Sequence, residues 1–454
     1  MIEYDDAIEP SPRAKSLLPP HSYQDPVHFF GNGHALQHIG NLLNNGQSVS
    51  LIGPRRIGKS SLLVQLAQTM GDERQNGADR WHTVYFNGEA WQDQPPNVLY
   101  AALWLAILDR LRTKAAELPV ANLPDANTTA MDFPTFQRAL RQCRQANQRI
   151  ILLLDEFDAL SRNRHLDEVF FSSLRSLAAT QGVVFVTAST APLLELTYAQ
   201  QSALSSPFFN IFLPQRLGLL SEPEAAELVT GTAALGGLAM NEDQCNDLLD
   251  LAGPHPFFLQ IAGYHWWEAQ QQDDAVDEHV LHRAIAAEAF PHWRYQWRYL
   301  PVAQQRALAL LPTGEPQPPA TLQPLHDGCL LRTMAAGGSY LSPLLLDFVG
   351  QQSIHQIIQA GPLLIDQQRQ QAWLHGQLLG LSPQDYRLLE LLAGQLDHQL
   401  SYTALAQQLW AEEKATINHQ DRLKSAVSSL RRKLGDQGIL LSADSGGYHL
   451  TLPL

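Results

Sequence analysis

The strongest chemical signal is the run Gly53-Pro54-Arg55-Arg56-Ile57-Gly58-Lys59-Ser60. Two glycines bracket a short loop that ends in Lys-Ser. Glycines allow backbone N–H groups to wrap a phosphate, and a helix opening at the loop's end adds its positive dipole terminus. Lys59 is spaced to reach the β- and γ-phosphates, and the Ser60 hydroxyl to ligate Mg²⁺. Ser61, the next residue, completes the candidate nucleotide contacts.

A second signal lies about a hundred residues on. Ile150-Ile151-Leu152-Leu153-Leu154 is an apolar run that delivers Asp155 and Glu156 at its end. Asp155 is the expected Mg²⁺ ligand, directly or through water. Glu156 is expected to orient or deprotonate an attacking water. Three weaker candidates follow. Ser189 and Thr190 end the run Val183–Ala188, where a hydroxyl would sense the γ-phosphate or simply cap a strand. Arg216 ends Phe209–Leu213 and its surroundings, where it would stabilise phosphate charge or stand in solvent. His255, in Gly253-Pro254-His255-Pro256, would report the nucleotide or sit as a turn or core histidine.

These side chains need a scaffold that brings distant loops together. Short β-rich runs at Ser48–Ile52, Thr83–Asn87, Ile150–Leu154, Val183–Ala188 and Ile211–Leu213 alternate with helical patterns. That alternation predicts a parallel sheet covered on both faces, with its ligands at the strands' C-terminal ends. The P-loop lies between a predicted strand and a predicted helix over Ser60–Met70, the context the motif requires. Ser221-Glu222-Pro223-Glu224 is a capping box that opens a helical stretch reaching about Tyr299. Leu311–Pro324 is proline-rich and reads as a loop. Residues 300–350 read as small helices ending in a hairpin near Gly337-Gly338. Gln351–Gln371 is polar and reads as a linker.

Composition bounds the function classes. The chain has 454 residues and a formal net charge of −14. Length suggests about three domains. An acidic chain does not coat nucleic acid non-specifically, so any such contact needs a local surface. Cys143, Cys245 and Cys329 are far apart and read as reduced core thiols, not a disulfide framework or zinc cluster. The N-terminal MIEYDDAIEP lacks a signal-peptide pattern, and no aliphatic run approaches membrane-spanning length. The expected location is cytoplasmic, with no membrane partner.

GPRRIGKSSLL, LLLLDEFD, FVTAST, SPFFNIFLPQRLGLLSEPEA and AGPHPFF, in that order, resemble the prokaryotic STAND and archaeal-type ATPases on the AAA+ side of the P-loop proteins. The resemblance covers about residues 26–350. It implies an ATPase core, a helical lid and a small winged helix, working as a switch that is closed with ADP and assembled with ATP. Asp327-Gly328-Cys329-Leu330-Leu331 and Ser342-Pro343-Leu344-Leu345 are similar to that winged helix. One departure concerns the Gly-Arg-x-x-Glu-like element before the P-loop strand. Asn32 and Ala35 stand at its Arg and Glu positions, so the family's adenine-side contacts do not carry over.

The C-terminal stretch resembles a different family, the winged-helix output domain of OmpR/PhoB-type response regulators. Trp373-Leu374-His375-Gly376, Leu381–Leu389, Leu430-Arg431-Arg432-Lys433-Leu434-Gly435-Asp436 and Gly447-Tyr448-His449-Leu450 fall in that family's order. The resemblance implies a third helix, about Gln420–Leu434, in a DNA major groove and a hairpin wing in the minor groove. That helix has an apolar stripe, Leu423, Val427, Leu430 and Leu434, at helical spacing. Its other face carries the candidate DNA contacts Arg422, Lys424, Ser425, Ser428 and Arg432. Against this, Ser429 stands where the family often has Arg or His, and Asp444 where its wing commonly has Arg. Residues 366–454 hold eight basic and nine acidic residues, a net −1.

The expected architecture is therefore α/β: a parallel-sheet P-loop ATPase core with a helical lid, followed by two winged-helix domains. The expected boundaries are an extended leader at 1–25, core 26–220, lid 221–299, internal winged helix 300–350, linker 351–365 and C-terminal winged helix 366–454. The expected ligands are ATP/ADP and Mg²⁺, with slow hydrolysis and ATP-dependent homo-oligomers. Two functions remain open. In one, a nucleotide-switched transcription regulator presents its winged helices to double-stranded DNA. In the other, a signalling or defence scaffold uses the C-terminal module to recruit a protein. A motor ranks below both because no pore loop or translocation element is visible. In either case a partner protein or the leader would bring the input signal.

Overall fold

The structure is a computed structural model. It describes residues 29–451 except 71–74, 77–78, 115–122, 125–128, 199–207, 272–276, 315, 333–338, 353, 355, 396–398, 411–418, 436–439 and 445. The expected leader, the turn at Gly337-Gly338 and Lys414 lie outside the described residues. The chain folds as two compact units, Met1–Ile285 with Asp327–Cys329 and Ala286–His326 with Leu330–Leu454.

The first unit opens with α1 (Gly33–Asn44), β1 (Ser48–Ile52), α2 (Lys59–Thr69), β2 (Gln75–Asn76), β3 (Asp79–Asn87), α3 (Pro96–Lys114) and α4 (Phe133–Gln145). It continues with β4 (Gln148–Asp155), α5 (Phe157–Ser161), α6 (Glu168–Gln181), β5 (Val184–Ser189), α7 (Leu193–Tyr198) and β6 (Phe212–Arg216). The sheet order is β2-β3-β4-β5-β1-β6. The five strands β3, β4, β5, β1 and β6 run parallel, and short β2 is antiparallel at one edge.

The side-chain period of two explains how both faces are covered. Along β4, Ile150, Leu152 and Leu154 enter one core with residues of α3, α4 and α6. Ile151 and Leu153 enter the other, against Ile39 and Leu43 of α1 and Leu62, Leu63 and Leu66 of α2. Each such aliphatic side chain, fully buried, contributes roughly 1.5–3 kcal/mol by transfer, so the strands that carry the site are among the best-anchored parts of the unit.

Three helices complete the unit: α8 (Glu222–Leu235), α9 (Glu242–Ala252) and α10 (Pro256–Gln271). The expected capping box forms at the start of α8, where Glu224 accepts from the Ser221 backbone and hydroxyl. The next helix, α11 (Glu278–Trp297), spans the division between the two units.

The second unit continues with α12 (Val302–Leu310), α13 (Pro319–Asp327), β7 (Leu331–Arg332), β8 (Ser339–Tyr340) and α14 (Pro343–Gly350). The β7–β8 pair is an antiparallel hairpin beside these helices. Residues expected as a proline-rich loop thus contain a 3-10 turn at Leu311–Thr313 and helix α13. Proline is tolerated in a first helical turn, where its missing N–H has no partner to lose.

The C-terminal module begins earlier than the composition suggested. The expected linker 351–365 contains β9 (Ile357–Ala360) and most of β10 (Leu363–Asp366). With β11 (Gln371–Leu374) and β12 (Gln377–Leu378) they form an antiparallel sheet ordered β12-β11-β10-β9. The glutamines disguised strands whose Ile357, Ala360, Leu363 and Ile365 are buried. There follow α15 (Pro383–Ala393), β13 (Leu400–Ser401), α16 (Tyr402–Leu409), α17 (His419–Leu434), β14 (Leu440–Asp444) and β15 (Gly447–Thr451). One core unites this sheet with the stripe Leu423, Val427, Leu430 and Leu434.

Within the second unit the internal and C-terminal modules are fastened together. Arg306 of α12 grips Asp366 of β10 with two hydrogen bonds of 2.9 Å. The Asp366 side chain is fully buried. A second contact joins the same two modules: Gly376 (φ +76°) lies so close to the Pro312 carbonyl that a Cβ would collide with it.

Candidate functional site

Strand register assembles the site. Ile52 pairs with Ser189 on one side and with Arg216 on the other. Leu154 pairs with Thr187, and Asn87 with Asp155. The C-terminal tips of all five parallel strands therefore meet at one edge, with the P-loop at the end of β1, between β5 and β6.

The loop's backbone demands its glycines. Gly58 has φ +99°, and Arg56 also lies in the left-handed region at φ +65°. A Cβ on Gly53 would stand 2.6 Å from the Leu217 carbonyl. Gly53 N–H donates to Ser189 O at 3.1 Å, tying the loop to β5. Pro54, Arg55 and Ile57 lie between, with Ile57 buried as an anchor. Ser60 and Ser61 occupy the first turn of α2, whose N-terminal amides face the loop.

Lys59 Nζ donates to the carbonyls of Gly53 and Pro54, both at 2.8 Å. Burial lowers its pKa, and Glu156, Asp158 and Asp155 pull in the opposite direction. Asp155 is 2% exposed. Its Oδ1 accepts from Glu156 N–H at 2.9 Å, and its Oδ2 accepts from the Tyr85 hydroxyl at 2.7 Å. Glu156 is held in left-handed backbone, φ +47°, at the start of α5. Burial, then the Asp155 charge, raise the pKa of its carboxyl, against the pull of Lys59.

The weaker candidates sit at the same edge but are engaged with neighbours. Ser189 Oγ donates to the Ala191 carbonyl at 2.8 Å. Thr190 donates its N–H and its hydroxyl to the two carboxylate oxygens of buried Asp158, at 2.9 and 2.5 Å. Arg216 pairs with Asp327 at 3.3 Å. His255 is buried, its pKa pushed down by that burial to about 3. Its Nδ1 accepts from Phe257 N–H at 3.3 Å. A neutral imidazole capping the start of α10 is the core role weighed against a nucleotide sensor.

Sequence reasoning missed three contributors. Tyr85 reaches Asp155 from the neighbouring strand, and Asp158 reaches Thr190. The third is Asn32, which caps α1 in left-handed backbone (φ +54°) and is 9% exposed. Its amide nitrogen lies 3.5 Å from where a Cβ on Gly58 would be. The adjacent Phe30 ring packs where Gly231 of α8 has no side chain, which joins this segment to the helices above the sheet. Arg56, from the P-loop, lies 4.2 Å over the Phe257 ring of α10.

Ser60 and Asp155 offer a hydroxyl and a carboxylate, the hard oxygen donors Mg²⁺ takes. The Ser60 hydroxyl has no protein partner among the described residues, so this donor set fits that ion.

On the C-terminal module, Arg422, Lys424, Ser425, Ser428 and Arg432 all lie on the exposed face of α17. Several basic groups there have internal partners. The Arg422 guanidinium lies 4.8 Å over the Trp410 ring. Lys424 pairs with Asp421 at 3.6 Å, and Lys433 with buried Asp385 at 2.7 Å. Ser425 Oγ donates back to the Asp421 carbonyl at 2.9 Å. Asp444 ends β14 opposite Gly447.

A family profile for the novel STAND NTPase 2 domain matches residues 39–315. The chain belongs to that family. A second profile, for the C-terminal domain of transcriptional regulatory proteins, matches residues 376–450 of this STAND NTPase. Among curated proteins, the transcriptional regulatory protein QseB of Haemophilus influenzae is 32% identical over 87 residues. That match spans 19% of this chain and 38% of the QseB length. Among solved structures, the Walker-type ATPase Paby2304 of Pyrococcus abyssi aligns with a TM-score of 0.52 and 14% identity. It covers 73% of this chain and 98% of that one, a likeness of fold. The DNA-binding domain of CpxR from E. coli aligns over 21% of this chain and 96% of its own, with 27% identity and a TM-score of 0.19. The family profile, and not this likeness, identifies the module. The chain thus joins a P-loop NTPase domain to a transcriptional-regulator module. Among the described residues, no helix is long and apolar enough to cross a membrane.

Proposed function

We propose that this STAND NTPase is an ATP-operated switch whose nucleotide state governs how its C-terminal module meets double-stranded DNA. One observation carries the reading: Lys59, Asp155 and Glu156 share one sheet edge in a chain that also bears a transcriptional-regulator module. The triphosphate lies in the loop Gly53–Ser60, with Lys59 leaving the Gly53 and Pro54 carbonyls to meet it. Ser60 and Asp155 would hold Mg²⁺, which would supply charge to neutralise the phosphates. Glu156 takes the proton of the attacking water, and its raised pKa makes it a better acceptor than an ordinary exposed carboxylate. Slow hydrolysis then resets the switch.

ATP-dependent assembly would present several modules at once. Linked modules raise a weak single affinity by orders of magnitude, which suits a module of net charge −1. A second reading has the module recruiting a protein, and the pairing of Lys424 with Asp421 favours it. DNA selection with the full chain, with and without ATP, separates the two. The expected result is enrichment of a site with ATP, lost in Lys59→Ala, which removes the cation from the phosphate loop. No binding to any member of a random pool, with ATP-driven assembly intact, overturns the DNA reading in favour of the scaffold.

A further inference from the structure

Helix α11 ends in an amphipathic segment with an unusual outer face. Its inner stripe is Phe290, Trp293 and Trp297, whose rings all pack on Phe348 of α14 at 5.5–6.0 Å between centroids. Arg294 and Tyr295 of the last helical turn, and Arg298 and Tyr299 in the turn after it, face outward. Tyr295 is 51% exposed and Tyr299 73%, and their rings contact each other at 5.2 Å. Val302, just beyond, is 51% exposed. Arg294 and Arg298 are exposed and make no ion pair among the described residues. Residues 289–314 contain Arg294, Arg298 and Arg306 and no carboxylate, in a chain that carries −14 overall. Arg306 is spent on Asp366. The other two guanidinium groups are the surface charge of this segment.

Two cations and two phenol rings on one face suit a polyanion with an apolar flank. Arginine binds phosphate oxygens bidentately, tyrosine hydroxyls donate to them, and the rings cover sugars. The C-terminal module leaves room for such help, since Lys433 is held by buried Asp385 and Lys424 shares the helix surface with Asp421. The 286–326 segment and that module belong to one compact unit. We infer that the Arg294/Tyr295/Arg298/Tyr299 face, formed by the end of α11 and the turn after it, is a second nucleic-acid contact, gripping the phosphate backbone of duplex DNA independently of sequence. The inference rests on the DNA reading above.

The test uses the full chain with ATP and a labelled duplex of random sequence, titrated at several salt concentrations. Arg294→Ser with Arg298→Ser is expected to weaken binding about tenfold and to reduce the slope of log Kd against log salt by about 2. Tyr295→Ala with Tyr299→Ala should weaken binding and leave that slope unchanged. Arg294→Lys with Arg298→Lys keeps both charges and is expected to restore most of the affinity, which excludes misfolding as the cause. An arginine double variant that binds with parental affinity and slope overturns the inference, while Arg422→Ala with Arg432→Ala still reports on the α17 reading. If the arginine variant instead loses only self-association by sedimentation, this face joins copies of the chain and the inference falls. A parent protein that binds no duplex at all overturns both readings together.

Discussion

Two lysines show how differently the two ends of this chain are built. Lys59, at the phosphate edge of the sheet, rests on two neutral carbonyls. Lys433, on α17, rests on the buried carboxylate of Asp385, which also caps α15. The first can move to an incoming phosphate without stranding an opposite charge. The second cannot leave without exposing Asp385 to an unpaired, low-dielectric setting. The pattern extends to their surroundings. At the sheet edge Asp158, Ser189, Thr190 and Arg216 have internal partners that a ligand can exchange. On the C-terminal module the internal pairs hold the helices in place, and the contacts offered outward are preset and exposed. One end is suited to changing state, the other to presenting a fixed surface.

The largest expected effect breaks the exchanging end. Glu156→Gln should slow hydrolysis by about 10²–10⁴-fold while leaving nucleotide affinity unchanged, read by single-turnover hydrolysis and by a binding titration. The pH profile adds an independent check. A base acts only when ionised, and burial, the largest cause, raises the Glu156 pKa. Turnover should therefore fall on acidification with a midpoint above the ordinary Glu value of about 4.3. Parental turnover in the variant would remove Glu156 from the chemistry and leave Asp155 as the functional carboxylate of this edge.

Much of this contrast was legible in the sequence, and what escaped has a physical pattern. The P-loop, the buried strands and the α17 stripe are local signals, written in spacing over a dozen residues or fewer. The bond from Tyr85 to Asp155 and the pair Arg216–Asp327 join residues far apart in the chain, so no window contains them. Asn32 was weighed only as a missing arginine, although its backbone and place beside Gly58 make it part of the loop's wall. Residues 351–365 misled because glutamine content was weighed over alternation, and 311–324 because its prolines were read as breakers. Pro319 stands in the first turn of α13, where it costs the helix nothing, and Pro324 is accommodated inside the helix.

The fixed end breaks at its fastening. Arg306→Met removes both hydrogen bonds to Asp366 and leaves a fully buried carboxylate with the Gln368 and Arg369 amides and the more distant Arg369 side chain. Loss of one partner of a buried pair costs about 3 kcal/mol or more. Denaturant unfolding of the full chain should show that loss in the transition of the second unit, with nucleotide affinity unchanged. A variant as stable as the parent would mean that the two modules do not depend on this pair. The picture of a fixed surface would then lose its main support.

The smallest expected effect is the most specific, because it asks whether the internal partners at the sheet edge hold their groups ready or keep them occupied. The Tyr85 hydroxyl donates to one oxygen of Asp155, and the Glu156 amide to the other. If Tyr85 orients the carboxylate, Tyr85→Phe leaves it free to rotate, and the Mg²⁺-dependent part of nucleotide affinity should fall about fivefold, the equivalent of one hydrogen bond. Affinity without Mg²⁺ should not change, because the Tyr85 hydroxyl donates to Asp155 and not to a P-loop residue. If Mg²⁺ instead binds more tightly in the variant, the hydroxyl competes with the ion, and even Asp155 belongs to the exchanging set. Burial is the reason to expect the first outcome. A carboxylate with 2% exposure has little water to take the place of the phenol, so an oxygen stripped of its donor costs more than the freedom it gains.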